Sequence, residues 1–303
     1  MGITKLTDLI RGDAPGSVSY REIGHYSGKV IALDTSIVVN QFRSAVPSLH
    51  LSPLLGLFFR TLTFLEHDIK PVFVFDGKPP SQKSAVLEKR AQTAGWNSSH
   101  RSNTVSTKTQ EFLRLLELMG VPRVMAPGDG EALCAHLVRS GVVDAVASED
   151  MDTLAFGGTV LLRQLNAKRD SEVTEYSLPK LLEALQLTQE ETHPVPPHWQ
   201  FKAARRLFLE VPQTEPPKLN WTDPDEEGLV KFLCVEKHVK EERVRGRMEK
   251  FRQTLTKRRK QREDEEKAGT TRQSRLDEFF RVTRKRQSAD AVGSTLRKRA
   301  KAK

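Results

Sequence analysis

The sequence predicts an α/β fold in which helices flank a mostly parallel central sheet, followed by a basic C-terminal tail that is disordered or helical. Apolar runs typical of buried strands alternate with segments of helical apolar spacing, and several of the runs end in an acid. The pattern first runs from KVIALDTS (29–36) through LLGLFFRTLTFLE (54–66) to KPVFVFDGKPP (70–80). Since parallel strands need a crossover connection that is usually a helix, this alternation favours a parallel sheet.

The alternation continues through the middle of the chain. TKTQEFLRLLELMG (107–120) is an amphipathic helix closed by a glycine. Strands are predicted within residues 121–129, 141–152 and 159–165, and the helix EALCAHLVRSG (131–141) separates the first two of them. Strands and helices in this order are typical of α/β proteins rather than of all-helical ones.

The last third of the chain differs in composition from the rest. Proline-rich connectors stand at 191–199 and 210–221, a helix is predicted at 225–239, and charged residues dominate from about residue 240. Such a charged run is typical of a solvated helix or of disorder. Over all 303 residues the net charge is +10 and the isoelectric point is about 9.6, which favours a polyanionic partner such as nucleic acid.

The sequence carries few signals for other classes of protein. Two cysteines, Cys134 and Cys234, form neither a disulfide framework nor a zinc-binding pattern, and they fit a reducing intracellular compartment. The opening MGITKLTDLIRG lacks the apolar core of a signal peptide, and the longest apolar stretches are too short to span a bilayer. We therefore expect no membrane association.

Acidic residues follow four of the predicted strand or turn ends. They are Asp34, Asp76, the pair Asp129 and Glu131, and the pair Asp150 and Asp152. In a parallel α/β sheet, ligands bind beyond the carboxyl ends of the strands, where these side chains would converge. Asp150 and Asp152 lie two residues apart within SEDMD (148–152), so on an extended strand they face the same side and Glu149 faces the other.

Converging carboxylates repel one another unless a counter-charge is present. Hard divalent cations bound by oxygen ligands supply that charge, and Mg²⁺ is the usual ion, so the pattern predicts a metal cluster. Each acid taken alone has a simpler interpretation as a turn former or a helix cap. Asp129 could cap the helix that begins near Glu131, and Glu131 would be favoured there by the helix dipole.

Several stretches, in order along nearly the whole chain, closely resemble eukaryotic-type flap endonucleases, which are structure-specific 5′-nucleases of the XPG/RAD2 family. They are MGITKL, IALDTS, KPVFVFDGKPP, APGDGEALCA and ASEDMDTLAFG, and the resemblance resumes at HPVPPHW and NWTDPDEEGLVKFL. The resemblance implies a PIN-like nuclease core and a metal-dependent endonuclease and 5′–3′ exonuclease. Its expected substrates are 5′-flap and nicked or gapped DNA, in replication, including Okazaki fragment maturation, and in base excision repair.

The same resemblance assigns roles to particular residues. The implied Mg²⁺ ligands are Asp34, Asp76, Asp129, Glu131, Asp150 and Asp152. The first four serve mainly one ion and the last two serve a second. Lys83 and Arg90 are implied as catalytic residues that reach the scissile phosphate, where positive charge neutralises the phosphodiester. Arg60 and Asp129 are implied as DNA-binding residues. Without the resemblance, Lys83, Arg90 and Arg60 would be interpreted as ordinary exposed helix charges.

The charged tail contains a second, separable motif. In QSRLDEFF (273–280), one helical turn places Leu276, Phe279 and Phe280 on one side, and Gln273 reaches into a polar pocket. This arrangement resembles the box through which the family binds the sliding clamp (PCNA). The basic clusters that follow suit nuclear import and nonspecific DNA contact. The expected locations are the nucleus, with nucleolus and nucleoplasm, and the mitochondrion.

The chain also departs from the family near residue 191. Between ALQLTQEE and THPVPPHW it lacks the segment that carries the helix–two-turn–helix element, which binds duplex DNA, and a further aspartate of the second metal site. Asp150 and Asp152 then lack their usual partner, and the leucines of LPKLLEALQL need other cover. Asn40 stands where the family has a base-stacking tyrosine, and Pro47 replaces a DNA-contacting arginine.

The resemblance divides the chain into four parts. The N-terminal nuclease region covers 1–104, with an arch at about 81–104, and the internal nuclease region covers 105–190. The C-terminal part of the nuclease core is 191–240, and the charged tail is 241–303.

Two functions remain open. The first is a Mg²⁺-dependent 5′ flap endonuclease with reduced duplex binding. The second is a clamp- and DNA-binding homologue whose catalysis is weak or absent. The retained acids favour the enzyme, because a non-catalytic homologue has no physical need for a repulsive cluster, whereas the missing segment favours the second function.

Overall fold

Seven strands form one sheet at the centre of the protein. They are β1 (Val18–Glu22), β2 (Val30–Asp34), β3 (Lys70–Phe75), β4 (Arg123–Met125), β5 (Ala145–Ala147), β6 (Val160–Arg163) and β7 (Glu172–Ser177). Their order across the sheet is β1-β7-β6-β5-β2-β3-β4. The computed structural model describes residues 3, 5–36, 38, 39, 41, 53–77, 107–165, 172–187 and 217–267.

Helices flank this sheet, as the alternation of the sequence predicts. The α-helices are α1 (Leu6–Asp13), α2 (Pro53–Glu66), α3 (Thr107–Leu118), α4 (Gly130–Arg139), α5 (Asp152–Ala155), α6 (Leu178–Leu185), α7 (Glu226–Val230) and α8 (Glu241–Lys267). Short 3₁₀ turns lie at Pro15–Ser17 and Ile23–Tyr26, and a π-helix lies at Lys231–Glu236. None of the helices in the described ranges is long and apolar enough to cross a membrane.

The strands from β6 through β4 run parallel, which confirms the predicted fold class. At one edge β7 pairs antiparallel with β6, and β1 pairs antiparallel with β7. The sequence analysis missed both of these strands. Their half-exposed, polar sequences, VSYRE and EVTEYS, lack the continuous apolar run that marks a strand buried on both faces.

Burial on both faces explains the apolar run of β2. Ile31 and Leu33 pack into a large cluster that includes Phe58 of α2, whereas Ala32 points to the opposite face and packs with Leu133 of α4. Helices therefore cover both sides of this strand, and no polar alternation is needed.

The strand order reverses beside β2. After β2 the chain places β3 and β4 on one side of it, then returns to add β5 and β6 on the other. At such a reversal the connections leave in opposite directions, and a crevice opens beyond the carboxyl ends of the strands. The sequence therefore builds a binding crevice between the ends of β2 and β5.

The helix α8 contributes to the core despite its charge. Val244, Met248 and Phe251 are each at most 4% exposed and pack into the large cluster. Arg247 is anchored on Glu66, with 2.9 Å between Nη2 and Oε2. The compact unit Met1–Leu255 includes this part of the helix, and a second unit is Thr256–Lys303.

The leucines of α6, which the sequence analysis left in need of cover, have it. Leu178 and Leu181 are buried in a cluster with Ile10 and Ala14, at the N-terminal end of the chain. Leu182 and Leu185 are partly buried against the same cluster. The N-terminal helix α1 therefore covers this apolar face of α6.

Candidate metal centre

The first pair of predicted acids lies at the ends of two neighbouring parallel strands. Asp34 is the last residue of β2 and is buried, and Asp76 directly follows β3. In the register of these strands Asp34 lies opposite Val74, so two residues further on Ser36 comes level with Asp76. The prediction that these acids stand at strand ends is confirmed.

Asp129 and Glu131 begin the helix that follows β4. Asp129 occupies the N-cap position of α4, but its side chain makes no capping hydrogen bond to the helix. Capping therefore does not account for this acid. Glu131 lies in the first turn, where the helix dipole favours an acid, and its side chain is directed toward the acids after β5.

Asp150 and Asp152 face together, but for a different reason from the one expected. β5 ends at Ala147, so neither acid belongs to a strand. Asp150 lies in the turn, and Asp152 begins the short helix α5 and donates its backbone N–H to Asp150 Oδ1 at 3.2 Å. Ser148 Oγ accepts the backbone N–H of Asp150 at 3.1 Å. A turn, not strand alternation, brings the two acids together.

Glu149 points away from these two acids, as the sequence analysis expected. Its Oε1 accepts hydrogen bonds from the backbone N–H of Gln164 at 2.9 Å and from Gln41 Nε2 at 3.3 Å. Its Oε2 lies 3.6 Å from Arg163 Nε. This carboxylate therefore attaches the SEDMD turn to the end of β6.

Three carboxylates converge in the crevice. One oxygen from each of Glu131, Asp150 and Asp152 lies within 4.8 Å of the other two, a spacing that can hold a metal ion. The sequence analysis placed Glu131 mainly with the first ion and left Asp150 and Asp152 without a third ligand. In the structure Glu131 stands beside that pair and supplies a third carboxylate.

The electrostatics of Glu131 reflect this crowding. Its pKa is raised from 4.5 to about 9, first by burial and then, in order of importance, by Asp150, Asp34, Asp129 and Asp152. Burial also raises the pKa of the neighbouring Cys134 thiol, again with a contribution from the acids. Oxygen-only ligands in a site that resists negative charge fit a hard divalent cation.

Two glycines that the sequence analysis did not single out shape the site. The backbone N–H of Gly130 donates to Asp76 Oδ1 at 2.9 Å, and a Cβ at this position would lie 2.8 Å from that oxygen. A Cβ at Gly77 would lie 1.9 Å from the carbonyl oxygen of Ala126. Glycine directly beside an acid, in FDG and DGE, was the available signal.

Arg60 lies inside the protein. Its side chain is buried, and Nη1 donates to Gln41 Oε1 at 2.7 Å. Burial lowers the pKa of Arg60, and the nearby Glu149 partly opposes this shift. The DNA contacts of Arg60 and Asp129 stay predictions. Lys83, Arg90, Asn40, Pro47 and the box 273–280 lie outside the described residues.

The fold and this site define a PIN-like α/β protein with a candidate divalent-cation centre at the reversal of its strand order. Family models match two parts of the chain: the XPG N-terminal domain at residues 1–95 and the XPG I-region at residues 120–194. A probable flap endonuclease 1 homolog from Danio rerio is 62% identical over 337 positions, covering 96% of each chain. Flap endonuclease 1 from Anoplopoma fimbria is 35% identical over 379 positions, covering 98% of this chain and 96% of that protein.

The solved structure of flap endonuclease-1 from Methanococcus jannaschii shares the fold. It superposes with a TM-score of 0.63 at 22% identity, covering 80% of this chain and 97% of that one. The chain therefore belongs to the flap endonucleases of the XPG family.

The two alignments also bear on the predicted deletion. They span 337 and 379 positions, whereas the chain has 303 residues, so both relatives carry residues that have no counterpart here. The I-region match ends at residue 194, close to the predicted junction at residue 191. The alignment lengths agree with a chain that is shorter than these two relatives.

Proposed function

We propose that this chain is a Mg²⁺-dependent, structure-specific 5′ flap endonuclease that acts on branched DNA in replication and base excision repair. The proposal rests on the grouping of Glu131, Asp150 and Asp152 within 4.8 Å. In this grouping the ionised form of Glu131 is destabilised by burial and by the neighbouring acids, and a bound cation would offset that cost. A binding protein without catalysis gains nothing from such a cluster. The flap endonucleases to which the chain is similar supply the substrate class.

The acids divide into two groups that fit two cations. Asp34, Asp76 and Asp129 would hold one, and Asp150 and Asp152 the other, with Glu131 between the groups. Bound divalent cations lower the pKa of water and stabilise charge on phosphoryl oxygens. The chain's own task is to fix the carboxylates and to admit one phosphodiester. Lys83 and Arg90 would neutralise that phosphodiester as charge develops.

Cleavage of a labelled 5′-flap duplex tests this function. The wild-type protein should cut near the flap junction in Mg²⁺ and not in EDTA. Asp76→Ala removes an acid that Ser36 and Gly130 help to orient. The cleavage rate of this variant should fall about 10³-fold, equivalent to several kcal/mol of transition-state stabilisation. Nicked and gapped duplexes measured in parallel would rank the substrates.

The same assay decides against the proposal if Mg²⁺-dependent cleavage does not exceed the level of Asp76→Ala. A second candidate would then be favoured, a clamp- and DNA-binding homologue with weak or no catalysis. It is supported by the residues that both relatives have and this chain lacks. Flap binding by the uncleaving wild-type protein, measured by fluorescence anisotropy, would then support the second candidate.

We also propose that QSRLDEFF (273–280) binds the sliding clamp. Phe279→Ala combined with Phe280→Ala should weaken clamp binding at least about 30-fold, since the loss of even one buried aromatic anchor costs about 2 kcal/mol or more. Titration calorimetry with the purified clamp measures this loss. Flap cleavage on free DNA should not change.

A basic pair just beyond the box provides the control for clamp binding. Arg284→Ala combined with Lys285→Ala removes two charges and leaves the aromatic anchors in place. Clamp affinity that follows the basic pair rather than the phenylalanines would contradict the docking proposal. The basic clusters support nuclear import, with the nucleus as the proposed main location and the mitochondrion as a second.

A further inference from the structure

Ser36 links two acids that come from different strands. Its backbone N–H donates to Asp34 Oδ1 at 2.9 Å, and its hydroxyl donates a short hydrogen bond to Asp76 Oδ2. The sequence distance between Ser36 and Asp76 is large, and the parallel register of β2 and β3 brings them together. One small residue thus contacts a carboxylate on its own strand end and another on the neighbouring strand end.

The Asp76 carboxylate is held through both of its oxygens. Gly130 N–H donates to Oδ1 at 2.9 Å, and the Ser36 hydroxyl donates to Oδ2. One donor on each oxygen favours a single orientation of the carboxylate. Each carboxylate oxygen can accept more than one bond, so both keep capacity for a cation.

We propose that Ser36 is a positioning residue for the first cation site, acting through the orientation of Asp76. The proposal rests on the metal-dependent function above and adds a residue that does not itself need to touch the cation. Groups that hydrogen-bond to a ligating carboxylate orient it before the metal arrives, so less ordering remains to be done on binding.

The hydroxyl matters because Asp76 follows a strand rather than lying within one. Its backbone continues into Gly77, where a side chain would collide with Ala126 O, so the turn itself is tightly placed. The side-chain torsions of Asp76 are nevertheless set by its two donors. Loss of the Gly130 donor would require a change of backbone, whereas the Ser36 donor can be removed by a single substitution.

Mn²⁺ binding to the DNA-free protein tests the proposal without reference to cleavage. Ser36→Ala should weaken Mn²⁺ affinity about ten-fold or more, as is typical when an orienting partner of a metal ligand is lost. Ser36→Thr keeps the hydroxyl and should recover most of the affinity. Free Mn²⁺ is measured by electron paramagnetic resonance, and the melting temperature in EDTA reports the fold.

A matched control lies at the far end of the helix that carries Glu131. Ser140 Oγ donates to the carbonyl oxygens of His136 at 2.9 Å and Leu137 at 3.2 Å, so Ser140→Ala also removes a hydrogen-bonded serine hydroxyl. Its Mn²⁺ affinity should equal that of the wild type. An effect of equal size at both serines would assign the loss to general destabilisation.

Three outcomes would overturn the positioning role. They are wild-type affinity in Ser36→Ala, an equal loss in Ser36→Ala and Ser36→Thr, and no Mn²⁺ binding by the wild-type protein. The proposed cleavage can fail separately, because a protein that binds Mn²⁺ through Ser36-oriented acids and cuts no flap would retain this inference. If the Ser36→Ala variant binds Mn²⁺ normally and the wild type cuts the flap, the positioning role is wrong and the proposed nuclease function is retained.

Discussion

Glu131→Gln is expected to stabilise the metal-free protein and to remove most of its flap cleavage. The side chain is half-buried among four acids, and its pKa is raised from 4.5 to about 9 by burial and by those acids. Glutamine has nearly the same shape but no charge. The substitution therefore removes repulsion from the folded state and also removes a proposed cation ligand.

The sign of the pH dependence follows from the raised pKa. Below the unfolded-state pKa of about 4.5, Glu131 is protonated in both states and causes no loss of stability. As the pH rises toward about 9, the unfolded chain releases the proton more easily than the folded chain. The free energy of unfolding of the metal-free wild type should therefore fall over this range through this group, and Glu131→Gln should not show that part of the fall.

Melting temperatures in EDTA across pH 5 to 9 measure this pH-dependent loss of stability, and we expect added Mg²⁺ to reverse it. Cation binding to the native state stabilises the wild type by RT ln(1 + c/Kd), where c is the free cation concentration, so the gain grows with the logarithm of that concentration. The glutamine variant should gain much less from Mg²⁺. Cleavage should fall about 10³-fold, since a ligand of the centre contributes several kcal/mol to the transition state.

Glu117→Gln serves as the matched control for Glu131→Gln. Glu117 is an exposed acid that pairs with Arg123 at 2.9 Å on the surface. Surface ion pairs contribute little, so this variant should keep wild-type cleavage and the wild-type response to pH and Mg²⁺. Identical melting curves for the wild type and Glu131→Gln at pH 8 in EDTA would refute the repulsion argument.

The central strands and the acids at their ends were predictable because their signals are local. A strand buried on both faces has to be apolar throughout, so KVIALD and KPVFVF identify β2 and β3. In a parallel sheet, an acid at the end of such a run faces the crevice beyond the carboxyl ends of the strands. Asp34 and Asp76 could therefore be placed without knowledge of any contact.

Other parts of the site depend on contacts that the sequence does not display. Ser36 acquires its role only when the pairing of β2 with β3 brings it to Asp76, and a single serine after a strand has no distinctive sequence pattern. Glu131 joins Asp150 and Asp152 because α4 directs it across the crevice. The prediction for Asp150 and Asp152 was correct in outcome and wrong in cause, since a turn replaces the expected strand.

Charge concealed the apolar stripe of α8. Val244, Met248 and Phe251 recur at helical spacing, but the surrounding residues are nearly all charged, so composition alone indicated a solvated tail. Anchoring on Glu66 through Arg247 adds a contact that only the folded chain displays. A narrow stripe on a highly charged helix is therefore easily mistaken for tail sequence.

Leu181→Ala is expected to lower the free energy of unfolding by about 2–5 kcal/mol, the usual cost of emptying a buried leucine site. The side chain is 7% exposed and packs in a cluster with Ile10 and Leu178. If the missing segment had left α6 uncovered, Leu181 would contribute almost nothing. Urea unfolding measures the change, and the control Glu183→Ala, at an exposed position of the same helix, should stay within about 0.5 kcal/mol of wild type.

The Leu181 result also bears on catalysis, because the same cluster contains Met151. Met151 is buried between the two acids of the SEDMD turn, so α1 and α6 support the turn that carries Asp150 and Asp152. Leu181→Ala should therefore reduce amide-exchange protection at Met151 in addition to global stability. If Leu181→Ala changed the free energy of unfolding as little as Glu183→Ala, the apolar face of α6 would be uncovered. The predicted deletion would then have damaged the fold beside the candidate metal centre. A large loss would mean that α6 is packed against α1 and that this packing supports the turn that carries Asp150 and Asp152.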